Sequence, residues 1–259
     1  MEQEAVLLEK RGSIAIVTLN RPKSLNALND VIVSSLSSVL TQMAEDDSVR
    51  VVVLSGAGKG FCAGGDLGYL ESLQTPIERK MFIQQVGGVA KQIMELPKPV
   101  IAMVNGVAAG AGCNLMLACD LIVAAHNARF AQSFAKVGLI PDCAGLFLLP
   151  RAVGHAWAKE MMFTGELLSA AQASAIGLVN HVVEVEFLEA ETMHLAEKLV
   201  QSPPIAIALT KQMLNNSDTS LNDVLNFEAV AQPFCLETED YHEGVAAFRQ
   251  KREPVFAGR

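Results

Sequence analysis

The stretch Lys98-Pro-Val-Ile-Ala-Met-Val-Asn-Gly-Val-Ala-Ala-Gly-Ala-Gly-Cys-Asn114 decides the fold class of this 259-residue chain. Pro97 and Pro99 end the helical spacing of residues 77–96, because proline lacks an amide donor and crowds the preceding turn. The apolar run 100–104 then reads as a buried strand. It opens at Asn105-Gly106 into glycines and alanines, which lead to a short helix at 114–119 and a further strand at 120–125. Strand, glycine-rich loop, helix and strand in this order describe a parallel sheet covered by helices.

The pattern extends to both sides. Residues 6–9 and 14–19 read as a hairpin, 27–44 shows apolar spacing near 3.6, and 51–55 is another β-branched strand. Beyond His155 the periodicity turns helical at 156–163, 170–175, 187–200, 205–215, 221–234 and 241–249, with only 178–183 strand-like. The expected architecture is an α/β core over residues 1–195 that carries the site, followed by a helical region over 196–259.

Composition narrows the function. Twenty Lys and Arg against 28 Asp and Glu give a net charge of −8, which opposes a broad grip on nucleic acid or an anionic membrane. The longest apolar runs, near 99–104 and 146–149, fall far short of the roughly 20 residues a bilayer requires. The first ten residues are acidic and lack a cleavable apolar stretch, so the expectation is a cytoplasmic protein. Five cysteines without a CxxC pair and five scattered histidines give no metal-site spacing, so no metal is expected.

A second glycine-rich loop, Gly56-Ala-Gly-Lys-Gly-Phe-Cys-Ala-Gly-Gly-Asp66, follows the strand at 51–55. It is not a P-loop, since Lys59 is followed by glycine, and Phe61 breaks the dinucleotide fingerprint. Two such loops after parallel strands lie at the carboxyl edge of a sheet, where their N–H groups can converge on one oxygen. Tight packing of a helix on the sheet accounts for the same glycines.

Taken together, Arg21-Pro-Lys-Ser-Leu-Asn-Ala-Leu28, Phe61-Cys-Ala-Gly-Gly-Asp66, Lys98 to Asn105-Gly106, Ala109-Gly-Ala-Gly-Cys113, Gly138-Leu-Ile-Pro141 and Phe248-Arg-Gln-Lys-Arg252 resemble the enoyl-CoA hydratase/isomerase (crotonase) superfamily. The resemblance runs through essentially the whole chain. It implies a spiral of ββα units with a C-terminal helical trimerisation region, assembled as a homotrimer or dimer of trimers, and Phe234, Phe248 and Phe256 are apolar enough for such contacts or, equally, for packing within one subunit. It implies an acyl group carried as a coenzyme A thioester, with no prosthetic group. By the same likeness the backbone N–H groups of Gly65 and Ala111 would hold the thioester oxygen. Lys23, Leu25, Ala27, Ala63, Asp66 and Leu67 would line the CoA path, and Phe248 and Lys251 would meet its nucleotide end. From its residue type alone, Lys251 is equally a solvated lysine at a helix end.

Family members that add water to enoyl-CoA use two glutamates, whose places are taken here by Asn114 and Phe134. Neither side chain exchanges protons near neutral pH. The remaining acid is Asp142, in a segment similar to that of the family's isomerases, including the 1,2-epoxyphenylacetyl-CoA and dienoyl-CoA isomerases. An isomerase needs one base, and the apolar neighbours Phe134, Leu139, Ile140, Leu146 and Phe147 would raise its pKa. Asp142 also has the sequence context of a helix N-cap. Asn114 is placed to bond substrate or an active-site water, or to cap its own helix. The resulting expectation is an acyl-CoA double-bond isomerase, with hydratase-type activity or a non-catalytic acyl-CoA-binding relative as alternatives.

Overall fold

A computed structural model describes residues 4–216 and 219–259. The strands are β1 (Val6–Arg11), β2 (Ile14–Leu19), β3 (Val51–Gly56), β4 (Gly60–Cys62), β5 (Val100–Val104), β6 (Val107–Ala109), β7 (Leu121–Ala125), β8 (Arg129–Ala131), β9 (Leu168–Ser169) and β10 (His181–Val183). The helices are α1 (Asp30–Glu45), α2 (Leu67–Ser72), α3 (Pro76–Glu95), α4 (Ala111–Leu117), α5 (Gly145–Thr164), α6 (Ala170–Ala175), α7 (Leu188–Val200), α8 (Pro204–Asn215), α9 (Leu221–Leu236) and α10 (Glu239–Gln250).

One sheet has the order β1-β2-β3-β5-β7-β10, and a smaller one has β4-β6-β8-β9. The β1–β2 hairpin is antiparallel, and β2, β3, β5, β7 and β10 are mutually parallel. Each of β3, β5 and β7 is followed within a few residues by a short strand of the second sheet, β4, β6 and β8 respectively. The chain thus winds as a spiral of ββα turns. Of these short strands, β4 and β6 lie inside the glycine-rich stretches that the sequence reads as loops.

Both faces of the central strands β2, β3, β5 and β7 are covered, which is why these strands are almost wholly apolar. Along β2, Ala15, Val17 and Leu19 enter the main core with α1 and α3, while Ile14 and Ile16 enter a second core with Leu188 and Ala196 of α7. The alternation is the two-residue period of a strand. Helix α1 starts at Asp30 rather than at residue 27, because Asn29 caps it through the Ile32 amide and Leu28 instead bridges Gly65. Helix α5 takes in the stretch around 144–149 and bends at Gly154 (φ 77°, ψ 161°) before continuing through 156–163.

Helix α8 is tied to this core by Lys211, whose buried Nζ donates to the Ile93 and Lys98 carbonyl oxygens and to Asp120 Oδ2 at 2.9, 3.0 and 2.7 Å. Asp120 also accepts from the Val100 amide at 2.7 Å, so it serves the core as a structural residue. Among the described residues no helix is long and apolar enough to cross a membrane.

Candidate active site

The two glycine-rich loops touch. Leu28 N–H donates to the Gly64 carbonyl at 2.7 Å and Asp66 N–H to the Leu28 carbonyl at 2.9 Å, forming a one-residue parallel bridge between Leu28 and Gly65. In such a bridge the paired residue's own amide faces away from its partner. The Gly65 N–H therefore points out of the ladder, and among the described residues it meets no acceptor. Gly64 has φ +102°, and a Cβ there would lie 2.8 Å from the Ala109 oxygen and 3.5 Å from the Ala111 nitrogen. Only glycine permits this approach.

On the second loop Gly110, at φ 52° and ψ −127°, turns the chain from β6 into α4. Its amide stays anchored to the small sheet through the Ala131 oxygen at 2.9 Å. Ala111 then begins the helix, and its N–H is one of those a helix cannot satisfy internally; among the described residues it has no other acceptor. Two free amides on adjoining loops can stabilise an oxygen that gains negative charge, and the helix start adds partial positive charge to the second.

Asp142 lies beyond the short 3-10 turn Ser133–Val137 and ahead of α5. The helix is capped by Ala144 with no side-chain bond. The N-cap reading of Asp142 is thereby corrected: it sits two residues before the cap, and its Oδ1 is buried without a hydrogen-bond partner. Burial pushes its pKa from the ordinary 3.8 up to about 6, because desolvation penalises the charged form. Of the neighbours expected to supply that burial, Phe134 is buried, but Leu139, Ile140 and Leu146 lie on the outer side of the loop. Phe147 instead carries the Arg151 guanidinium 3.6 Å above its ring. Cys143 is buried, and desolvation raises its thiol far above the reactive range.

Asn114 is not the cap of α4, which starts three residues earlier because Gly110 supplies the turn. Its buried amide donates from Nδ2 to the Asp142 carbonyl at 2.8 Å, while its Oδ1 accepts from Gln132 Nε2 at 2.7 Å. This contact ties the main chain of Asp142 to α4, the helix that opens with the Ala111 amide. Phe134 takes the other position, with ring atoms 3.7 and 3.8 Å from where a Gly110 Cβ would stand. It forms an apolar wall with no proton to give.

Of the residues expected along the CoA path, Leu25 is joined to Ala63 and Ala27 to Asp66. Ala63 N–H donates to the Leu25 carbonyl at 2.9 Å. The Arg21 guanidinium joins the Ala27 carbonyl, at 2.6 Å, to Asp66 Oδ2, at 2.9 Å. The other Asp66 oxygen caps α2 through the Tyr69 amide at 3.2 Å. Asp66 thus braces the loop, while Lys23, Leu25 and Leu67 are exposed. Phe248 and Lys251, at the end of α10, are also exposed.

Three residues escaped the sequence reading as organisers of the site: Arg21, Asn26 and Gln132. Buried Asn26 donates from Nδ2 to the Ala57, Gly60 and Phe61 carbonyl oxygens at 3.0, 2.8 and 3.1 Å, and so shapes the first loop. It adopts φ 59°, directly after Leu25 at φ 49°, and asparagine's tolerance of that region is the one signal the sequence offered. Nothing in the pattern around Gln132 marks it as a buried amide.

Comparison with known proteins bears on the family and the fold. The family model described as enoyl-CoA hydratase/isomerase matches residues 9–259. The chain is 40% identical over 265 residues to the 1,2-epoxyphenylacetyl-CoA isomerase of Escherichia coli, with 99% of each covered. It is also 40% identical over 255 residues to the short-chain-enoyl-CoA hydratase of Clostridium acetobutylicum, covering 98% of this chain and 97% of that one. Among solved structures, the enoyl-CoA hydratase from Bacillus anthracis superposes with a TM-score of 0.94 at 34% identity, over 98% of this chain and 100% of that one.

Proposed function

The chain belongs to the enoyl-CoA hydratase/isomerase family, and within it we propose a double-bond isomerase that moves the unsaturation of a 3-enoyl-CoA, or of a ring-derived acyl-CoA, into conjugation with the thioester. The observation that carries this reading is Asp142: a half-buried carboxyl with one buried, unpaired oxygen, in a segment tied to helix α4 through Asn114. The positions of the hydratase glutamates hold an internally bonded amide and a phenyl ring.

The carboxylate of Asp142 takes a proton from C2 of the acyl chain. The electron pair moves onto the thioester oxygen, where the Gly65 and Ala111 N–H groups receive the charge; one such donor contributes about 3 to 4 kcal/mol of transition-state stabilisation. Asp142 then returns the proton at C4, and the double bond settles between C2 and C3. One group serves as base and acid, and a pKa of about 6 suits both duties near neutral pH. No prosthetic group enters the sequence.

Lys23, Leu25, Ala27, Ala63, Asp66 and Leu67 form the path we assign to the CoA moiety, with Phe248 and Lys251 at its nucleotide end. A trimer or a dimer of trimers is the assembly that fits the exposed rings of Phe234 and Phe248. Phe256, by contrast, packs within the subunit against Gly244.

The test offers the purified protein a 3-enoyl-CoA and, separately, a 2-enoyl-CoA. Isomerisation leaves the mass unchanged and produces the conjugated thioester, whereas hydration adds one water. Conversion of the first without hydration of the second is expected. Formation of 3-hydroxyacyl-CoA at a comparable rate would decide for a hydratase, and binding without turnover for an acyl-CoA-binding protein.

A further inference from the structure

Asp142 Oδ1 accepts no hydrogen bond, so the aim of the carboxyl is set through the main chain. That main chain is in an unfavourable shape. Cys143 and Ala144 follow with φ 50° and 61°, two successive left-handed residues that are neither glycine nor asparagine. Such backbone persists only where its surroundings over-determine it.

Two donors converge on the Asp142 carbonyl oxygen: the Gly145 amide at 2.9 Å and Asn114 Nδ2 at 2.8 Å. Asn114 is gripped in turn by Gln132 Nε2 at 2.7 Å, and both side chains are wholly buried, with 0% exposure. The far side is closed by Gly145, where a Cβ would stand 2.2 Å from Asn114 Nδ2 and 2.6 Å from its Oδ1. An amide suits position 114 because it donates at one end while accepting at the other, which an ionised carboxylate does not do.

We infer that Gln132 and Asn114, seated on Gly145, form a positioning strut that aims the Asp142 carboxyl at the reacting carbons. The inference rests on Asp142 being the proton-transferring group. Neither amide is a catalytic residue, because each bonds protein atoms. The chemistry makes the aim exacting: one carboxyl must reach two carbons in turn, and a displacement of about 1 Å costs up to about a hundredfold in rate.

The experiment measures kcat, KM and thermal melting with a 3-enoyl-CoA for Gln132→Met, Asn114→Leu, their combination, Gly145→Ala and Asp142→Asn. Because the strut acts as one unit, each single variant and the double variant should lose kcat by a similar factor, about tenfold or more, with KM within about twofold of native. Gly145→Ala removes no polar group and only pushes Asn114 aside, so it reads the same question if an apolar variant fails to fold. Native kcat in Gln132→Met and Gly145→Ala, with Asp142→Asn inactive, would overturn the strut and leave the base standing. Losses that multiply in the double variant would also overturn it. An active Asp142→Asn would overturn the base and the strut together.

Discussion

A methyl group on Gly64 would stand 2.8 Å from the Ala109 carbonyl oxygen and 3.5 Å from the Ala111 nitrogen, so the two loops approach this closely because residue 64 has no side chain. The two loops come from separate turns of the spiral, and the proposed pairing of the Gly65 and Ala111 amides depends on this contact.

Gly64→Ala should therefore separate the amides. A residue with a Cβ at φ +102° costs about 1 to 2 kcal/mol for its conformation alone, and loss of one donor should lower kcat by about 10² to 10³. Steady-state turnover and a urea midpoint measured on the same preparation check both parts. Native turnover in this variant would contradict the pairing of the two amides.

Asp142 carries a stability cost that depends on pH. Its pKa rises from 3.8 to about 6 on folding, so burial favours the protonated fold: that contribution is fully present below about pH 4 and is lost as pH rises through 6. Above pH 6 the folded protein keeps an ionised, desolvated carboxyl, at a cost of at most about 3 kcal/mol. Asp142→Asn should melt higher than the native protein at pH 7.5, with the gain vanishing by pH 4. Native kcat/KM should rise with pH through about 6 as the base ionises. An equal melting difference at pH 4 and pH 7.5 would refute the burial argument.

Lys211 offers a contrast, since its role is structural. Burial raises the Asp120 pKa even with the Lys211 charge beside it. Truncating the lysine leaves that carboxyl with the Val100 amide as its one remaining donor among the described residues, and takes away the Lys211 donor from the Ile93 and Lys98 oxygens. Lys211→Ala should lose about 3 to 5 kcal/mol of unfolding free energy, as when one partner of a buried ion pair is removed. What remains folded should turn over normally. Denaturant melts alongside specific activity test this, and a loss below about 1 kcal/mol would count against it.

The sequence made the long elements legible and hid the short ones. Strands β2 and β5 coincide with their sequence readings, and α3 does so to within a residue, because β-branched runs and helical spacing are bounded there by Gly12, Asn20, Pro97 and Pro99. The three-residue strands β4 and β6 are too short to show a period, and the glycines around them read as loop. The start of α4 was missed for a related reason: Gly110 and Gly112 depress helix propensity, so Asn114 passed for a cap when it is interior. That shift by three residues is what turns Asn114 toward Asp142. For the candidate site, Gly65, Ala111 and Asp142 come from the resemblance and not from any local pattern. The brace of Arg21 on Asp66, the folding of the first loop around Asn26 and the grip of Gln132 on Asn114 join residues far apart in sequence, and no local pattern encodes them.

The most direct test of a single-carboxylate isomerase is turnover by native protein and Asp142→Asn, following the absorbance of the conjugated 2-enoyl thioester formed from a 3-enoyl-CoA. Loss of a general base of this kind is expected to lower kcat by about 10² to 10⁴, while a saturated acyl-CoA should still bind within about twofold of native affinity. Turnover by Asp142→Asn within about tenfold of native would contradict the assignment of the base.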